Sequence, residues 1–256
     1  MITLSLNDYI VFLFVSCRMT GVIFFNPIFG RRNVPGIVKV GLAMGIGLSA
    51  AYELLHVSLT DYNAMEMILS MFKEFAVGFA MGFIVQLFLS VFYIGGELMD
   101  LQMGLSMASL YDPTTNSQIS VTGNIITAMY TLLFFITNSH MTLLAIAVKS
   151  YDAIPVGLAS ISPKLGVYMI ELFGFIWVYA VQLALPVIVT QIIVEVAVGI
   201  LMRVVPNINV FVVNLQVKLG VGIIVILSII PVLVRYLEKL NMIMMRNIQE
   251  GLAFFM

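Results

Sequence analysis

The chain has 256 residues, of which 61% are hydrophobic and only 10% charged; the mean hydropathy is +1.09 and the formal net charge is -1. A soluble domain carries about 25% charged residues, and water would not solvate a compact monomer of the present composition without large apolar patches, so the chain reads as an integral membrane protein. Near-neutral charge without a Lys/Arg cluster excludes nucleic-acid binding and a polybasic lipid patch, and the single Cys17 excludes an intrachain disulfide.

The stretch Met1 to Asp8 lacks the basic region of a signal peptide, so the first apolar segment is expected to be retained. Six apolar stretches follow, over residues 9–29, 36–52, 75–95, 123–148, 167–199 and 210–234. Each is near or above the roughly 20 residues that cross a bilayer. The fifth is too long for one untilted span, and Pro186 inside it predicts a kink or break.

The joints carry turn chemistry. Asn26-Pro27 and Val34-Pro35-Gly36 bracket a basic loop, Gly30-Arg31-Arg32-Asn33. Thr60-Asp61 can cap a helix beginning near Tyr62, with Glu66 in its first turns, and Ser162-Pro163 supplies an N-cap followed by proline. Asp112-Pro113 can do the same for a segment running into Thr114–Thr122, and Asn207 and Asn209 surround the turn after Pro206. The positive-inside signals conflict: Arg31, Arg32 and Lys39 mark the first loop as cytoplasmic, yet six simple crossings would leave Lys73, Lys149, Lys164, Arg235, Lys239 and Arg246 outside. After Pro231, Leu233, Leu237, Leu240, Met244 and Ile248 fall on one helical face. That face fits a membrane surface, a partner, or packing within the chain.

Small residues at four-residue spacing, Gly41/Gly45/Ser49 and Gly78/Gly82, predict tight helix neighbours. Arg18, Glu171, Glu195 and Lys218 lie in or at apolar segments, where a charge calls for a partner or a function. No His, Cys or carboxylate spacing fits a metal site, and no phosphate loop or nucleophile elbow is present. Ser139-His140 and Glu97/Asp100 are the close polar pairs of catalytic type; for the second, helix-end hydrogen bonding is the better reading.

The central stretch, residues 95–113, is the most distinctive. Met99, Met103 and Met107 form one stripe at helical spacing, continued by Leu110. Gly95-Gly96 and Gly104 are expected to interrupt the helix, Asp112-Pro113 to stop it, and the polar run Thr114-Thr115-Asn116-Ser117-Gln118 follows. Irregular backbone is not tolerated against lipid. The stretch therefore suits an element inside protein or at a pore, where soft apolar side chains can block water and ions by dewetting.

Gly96-Glu97-x-x-Asp100-x-Gln102-Met103-Gly104, followed by Asp112-Pro113, resembles the signature of the FliR family of flagellar export-gate proteins and its virulence type III secretion relatives. Further pieces agree in order: Pro27-x-x-Gly30-Arg31-x-x-Val34-Pro35 with Lys39, Asn138-x-His140, Ser150-Tyr151-x-x-Ile154-Pro155, Ala184-Leu185-Pro186, and Gly199-x-Leu201-x-Arg203-x-x-Pro206-Asn207-x-Asn209.

The resemblance implies an all-α membrane protein of bent helical hairpins. It would be a single export-gate subunit over residues 1–256, with a FliP-like N-terminal part and a FliQ-like C-terminal part. It implies a non-enzymatic role without cofactors, in the bacterial inner membrane at the flagellar basal body. Expected partners are FliP-like and FliQ-like subunits, FlhB-like and FlhA-like export proteins, and the unfolded flagellar proteins that are exported. The family's plug maps onto Met107 and Leu110, with Met103 on the same stripe. Gly96, Glu97, Asp100, Gln102, Gly104, Asp112 and Pro113 are then the loop support, while Pro27, Gly30, Arg31, Pro35, Pro155, Pro186, Arg203, Pro206 and Asn209 are structural motif positions. The alternative is a small-solute secondary transporter, whose midplane site would need helices broken around residues 95–104 and Pro186, with Glu195. An intramembrane enzyme comes behind both for lack of a catalytic set.

Overall fold

The apolar composition leaves the backbone few partners besides itself, and helices are the local answer. The computed structural model describes residues 6–31, 33–54, 63–105, 120–204 and 210–256. Among them the chain forms seven α-helices: α1 Leu6–Phe24, α2 Gly36–Glu53, α3 Ala64–Met103, α4 Val121–Ile136, α5 Ser139–Ala153, α6 Lys164–Val204 and α7 Val210–Leu252, closed by a 3-10 turn, Ala253–Phe255. The fold is all-α. Four helices, α1, α3, α6 and α7, are long and apolar enough to cross a membrane, and the bent pair α4/α5 makes a fifth if it counts as one span.

Each of the six apolar stretches falls largely within one helix or within the bent pair, but three of the helices reach well beyond them. At 1.5 Å per residue, α3, α6 and α7 (40, 41 and 43 residues) are each about 60 Å long, twice the roughly 30 Å of a bilayer's hydrocarbon core. The stretch at 123–148 is two helices, because Asn138 turns the chain in the left-handed conformation at φ 55. No break is present at Pro186: α6 runs through it, as α7 runs through Pro231. Proline is tolerated inside membrane helices because neighbouring helices, Ser/Thr side chains and ordered waters can re-satisfy the freed carbonyl.

The joints follow their chemistry. The first helix ends at Phe24, short of residue 29, because Asn26 folds the chain into a turn. Its Oδ1 accepts from the Ile28 amide at 2.8 Å and its carbonyl from the Gly30 amide at 2.6 Å. Pro35 occupies the N-cap position of α2, and Lys39 Nζ reaches back to the Gly30 carbonyl at 2.9 Å. The third helix starts at Ala64, and Glu66 Oε2 returns to the Asn63 amide at 3.1 Å, the reciprocal half of a capping box. Thr60, Asp61 and Tyr62 lie outside the described residues.

The chain divides into two compact units. The first holds residues 1–88, 134–172 and 241–256. Here α1 and α3 touch backbone to backbone. A β-carbon at Gly78 would collide with the Arg18 carbonyl, one at Gly21 would lie 2.7 Å from the Phe75 carbonyl, and one at Gly82 would lie 3.0 Å from Phe25. The Gly78/Gly82 expectation therefore has its neighbour. The Gly41/Gly45 expectation does not, since nothing described comes within 4 Å of either β-position. The end of the chain is stitched down: Ser160 and Ser162 amides donate to the Phe255 and Phe254 carbonyls, each at 3.0 Å.

The same unit buries a complete ion pair. Arg18 and Glu74 are both 0% exposed, and Arg18 Nε donates to Glu74 Oε2 at 2.7 Å. Arg18 also donates to Ser150 Oγ at 2.8 Å and to the Ile154 carbonyl at 3.1 Å, and its guanidinium lies 4.0 Å from the centroid of the Tyr151 ring. The Gly157 amide donates to the second carboxylate oxygen of Glu74 at 2.8 Å. One planar cation thus ties α1 to α3, to α5 and to the turn after it. Five fixed donors in a fork suit this multi-point tie better than an ammonium would.

The second unit holds residues 89–133 and 173–240. Phe92 and Tyr130 pack at 4.4 Å between ring centroids, and Val91, Met99, Ile126, Ile176, Ala180 and Leu183 are buried residues of the same unit. Its lone charged pair among the described residues is Lys218–Glu195 at 3.0 Å, so Glu195 has a partner that its place in the sequence did not reveal. Along α7 the face of Leu233, Leu237, Leu240, Met244 and Ile248 is buried within the chain, which decides among the three readings of that stripe. Large apolar side chains remain exposed on α2 and α6, as expected of surfaces that meet lipid or other subunits.

Glu74→Gln or Arg18→Met alone should destabilise the protein by roughly 3–5 kcal/mol, because each leaves a buried charge unpaired. The double substitution Arg18→Met/Glu74→Leu should recover most of that loss. Melting in detergent checks this: equal losses from the single and double changes would mean that the pair is not what holds these helices together.

Candidate functional site

The polar groups that meet between α3 and α4 are organised by how α3 ends. Gly104 takes φ +79, a conformation open to glycine without strain. Its amide donates to the Leu101 carbonyl at 3.2 Å, and the Leu105 amide donates to the Asp100 carbonyl at 3.0 Å. These two bonds are the Schellman arrangement, which satisfies the last carbonyls of a helix and turns the chain sharply away.

Asp100 therefore sits in the last turn of α3, 4% exposed. Its carboxylate faces the first turn of α4. Ser120 Oγ donates to Oδ2 at 2.7 Å, the Thr122 amide donates at 3.2 Å, and the Thr122 hydroxyl donates to Oδ1. Ser120 also caps α4 itself, its Oγ accepting from the Gly123 amide at 2.8 Å. A carboxylate here meets the unsatisfied amides and the positive end of the α4 dipole. Asp100 thus joins two described ends: its carbonyl accepts from the Leu105 amide just after α3, and its side chain holds the first turn of α4.

The two glycines before it serve a different purpose from the one expected. The third helix continues through Gly95-Gly96 without interruption. A β-carbon at Gly96 would collide with Gly123 Cα and N, and one at Gly95 would lie 2.7 Å from Leu183 Cδ2 and 3.1 Å from the Ala180 carbonyl. They are sites of close approach, bare on one face for α4 and on the other for α6. That closeness brings Ser120 and Thr122 within reach of a short Asp side chain.

Of the expected seal residues, Met103 closes α3 and is buried, as is Met99 one turn before it. Glu97 and Gln102 are half-buried on the same helix. Met107, Leu110, Asp112 and Pro113 lie outside the described residues. The remaining motif positions are joints spread along the chain. Pro27, Gly30, Arg31 and Pro35 belong to the α1–α2 turn, Pro155 follows α5, Pro186 is exposed within α6, and Arg203 is exposed in its last turn. Pro206 and Asn209 are outside the described residues. Absent from the expected set are Glu74, Ser120 and Thr122. Ser-Val-Thr-Gly at the start of an apolar run is an N-cap pattern that points to Ser120, and a buried Arg18 calls for an acid such as Glu74.

Comparison with known proteins places this architecture. The family described as bacterial export proteins, family 1, matches residues 9–243. The chain is 32% identical over 243 residues to the flagellar biosynthetic protein FliR of Bacillus subtilis (strain 168), covering 93% of each. It is 29% identical over 223 residues to the FliR protein of Escherichia coli (strain K12), covering 87% of this chain and 85% of that one. The Yop proteins translocation protein T of Yersinia pestis is 25% identical over 201 residues, with 77% and 76% covered. With a match along nearly its whole length, the chain belongs to bacterial export proteins, family 1, the family of the flagellar FliR proteins and their type III translocation relatives.

Proposed function

We propose that this chain is a structural and gating subunit of the type III flagellar export channel, and that residues 106–119 are its plug. The observation that supports the reading is that Asp100 joins Leu105, just after α3, to Ser120 and Thr122 at the start of α4, the described residues that flank this segment. A segment tied at one point can be displaced as a unit and return to the same place, which a seal for unfolded chains requires. Met107 and Leu110 form the seal by dewetting, without polar bonds that a passing polypeptide would have to break. Methionine moulds itself to irregular surfaces and can close around an empty channel. Glu97, Gln102, Asp112 and Pro113 complete the support, with Gly96 and Gly104 supplying the close approach and the turn.

In this reading the chain is non-enzymatic and carries no cofactor. It assembles with FliP-like and FliQ-like subunits beside FlhB-like and FlhA-like proteins, in the bacterial inner membrane at the basal body. Its N-terminal part is FliP-like and its C-terminal part FliQ-like. The exposed apolar side chains of α2 and α6 support burial against other subunits as well as lipid. The transporter alternative loses ground, since α3 and α6 are continuous where it needs broken helices.

Met107→Gly/Leu110→Gly should make membranes that carry the assembled apparatus leaky to small ions while the chain stays in place; unchanged conductance and export would remove the plug assignment. Asp100→Asn should weaken the base of the segment by about 1–3 kcal/mol, since buried donors lose their ionised acceptor. Proteolysis of residues 106–119 in membranes should then be faster than in the parent, and an unchanged rate would contradict the tie. Expressed with its neighbours, the chain should co-purify with FliP-like and FliQ-like proteins; recovery as a well-behaved monomer would count against the assembly.

A further inference from the structure

The seam between α3 and α4 has two unlike sides. The helices run antiparallel, since Asp100 meets Thr122, Gly96 meets Gly123 and Phe92 meets Tyr130. One side belongs to α6: Gly95 lies against Ala180 and Leu183, and Met99, Ile126 and Tyr130 are each no more than 2% exposed. The other side is polar. In antiparallel helices the residue after each glycine of the contact falls on the same side, so Glu97 and Asn124 flank the seam together. At helical spacing from them, Ser90 and Tyr93 continue the row on α3, and Thr127 and Thr131 on α4. All six are exposed or half-buried. The rest of residues 89–99 and 123–133 is glycine or apolar but for the buried Tyr130. Thr127 and Thr131 donate to the Gly123 and Thr127 carbonyls of their own helix, each at 2.7 Å. Among the described residues nothing donates to the Glu97 carboxylate.

We infer that this polar side of the seam is a wetted wall of the export conduit, and that its ligand is the hydrated backbone of an unfolded polypeptide in transit. The inference rests on the reading of the chain as an export-channel subunit and gives that channel a surface. Lipid is a poor cover for the row. Ionised and strongly polar side chains are costly in hydrocarbon, and in membrane helices they face bundle interiors or water-filled cavities. A dry contact with another subunit is a poor cover too, because interface cores are depleted of charge and a sealed Glu97 would demand a cation. Water meets both needs. The threonines suit the task by what they withhold. Their hydroxyl protons are already spent on their own helix, so these two offer acceptors and methyl groups rather than donors that would grip the carbonyls of a moving chain. Glu97 is the one charge in the row, so the wall favours basic segments over acidic ones, as acidic linings favour cations in channels.

The test uses the full chain in a Cys17→Ser background, expressed in a flagellated host in place of its own relative. Asn124→Cys and Thr131→Cys are treated with a charged, membrane-impermeant thiol reagent from both faces of the membrane. Leu132→Cys, the next position round α4 and 65% exposed, serves for comparison. The two seam variants should react many-fold faster than Leu132→Cys, and a secretion substrate stalled by a fused domain that cannot unfold should slow them several-fold. Reaction at the seam no faster than at Leu132→Cys, or a rate that ignores the stalled substrate, overturns the wall. A second arm needs no reagent and changes one charge. The ratio of secreted reporter with a basic flexible segment to reporter with an acidic one should fall in the order parent, Glu97→Gln, Glu97→Lys. An order that does not follow charge overturns the wall. Loss of assembly by Glu97→Gln at an unchanged level of membrane-bound chain also overturns it, since that outcome places a cation of another subunit on Glu97. If the seam fails both arms while the chain still co-purifies with the other export subunits, the wall fails and the channel reading stands; if the chain also purifies alone, both fail.

Discussion

A carboxylate buried at the end of an apolar helix has to find donors, and that requirement shapes the centre of this protein. Asp100 finds them in Ser120 and Thr122, on the far side of a segment of more than a dozen residues. The bonds form because Gly96 and Gly123 let α3 and α4 approach to backbone contact. Cap, dipole and ionised acceptor coincide at one place, each favouring the same closure. The turn at Gly104 and the start of α4 are thereby held together through one residue.

The same economy governs the other charges inside apolar helices. Arg18 and Glu74 are buried together, with backbone and hydroxyl groups saturating what the pair leaves over. Lys218 and Glu195 meet across α6 and α7. These polar groups join elements distant in sequence, as lone charges in hydrocarbon are bound to do. They act as connectors in a protein whose apolar surfaces give little directional guidance for helix packing.

Part of this was legible in the residues and part was not. The bounds of α2 and the turn around Asn26, Gly30 and Pro35 follow from turn chemistry. So does the termination of α3 at Gly104. The long helices were not legible, because a sequence apolar on all sides shows no polar face and no clear end; six stretches were a division imposed by bilayer thickness. Gly95-Gly96 reads as freedom when taken alone, yet two helices packed on opposite faces make the pair a point of contact. Pro186 reads as a kink or break, yet α6 runs through it as continuous helix. Glu74 stood at the edge of an apolar segment with nothing local to mark it; only the fold brings it to Arg18. For the site, Asp100 and Gly104 were expected as support, whereas Ser120 and Thr122 acquire meaning only from the faces they share.

The central proposal is that Asp100 supports the plug proposed between Leu105 and Ser120. A double-variant cycle on ion leak tests this directly, with Asp100→Asn, Met107→Gly/Leu110→Gly and their combination compared in the assembled apparatus. Changes within one unit are strongly non-additive, whereas independent ones add. The account predicts that the combination leaks no more than the loop-tip variant alone, because a seal already lost gains nothing from a loosened base. A combined leak equal to the two separate increments added together would contradict it.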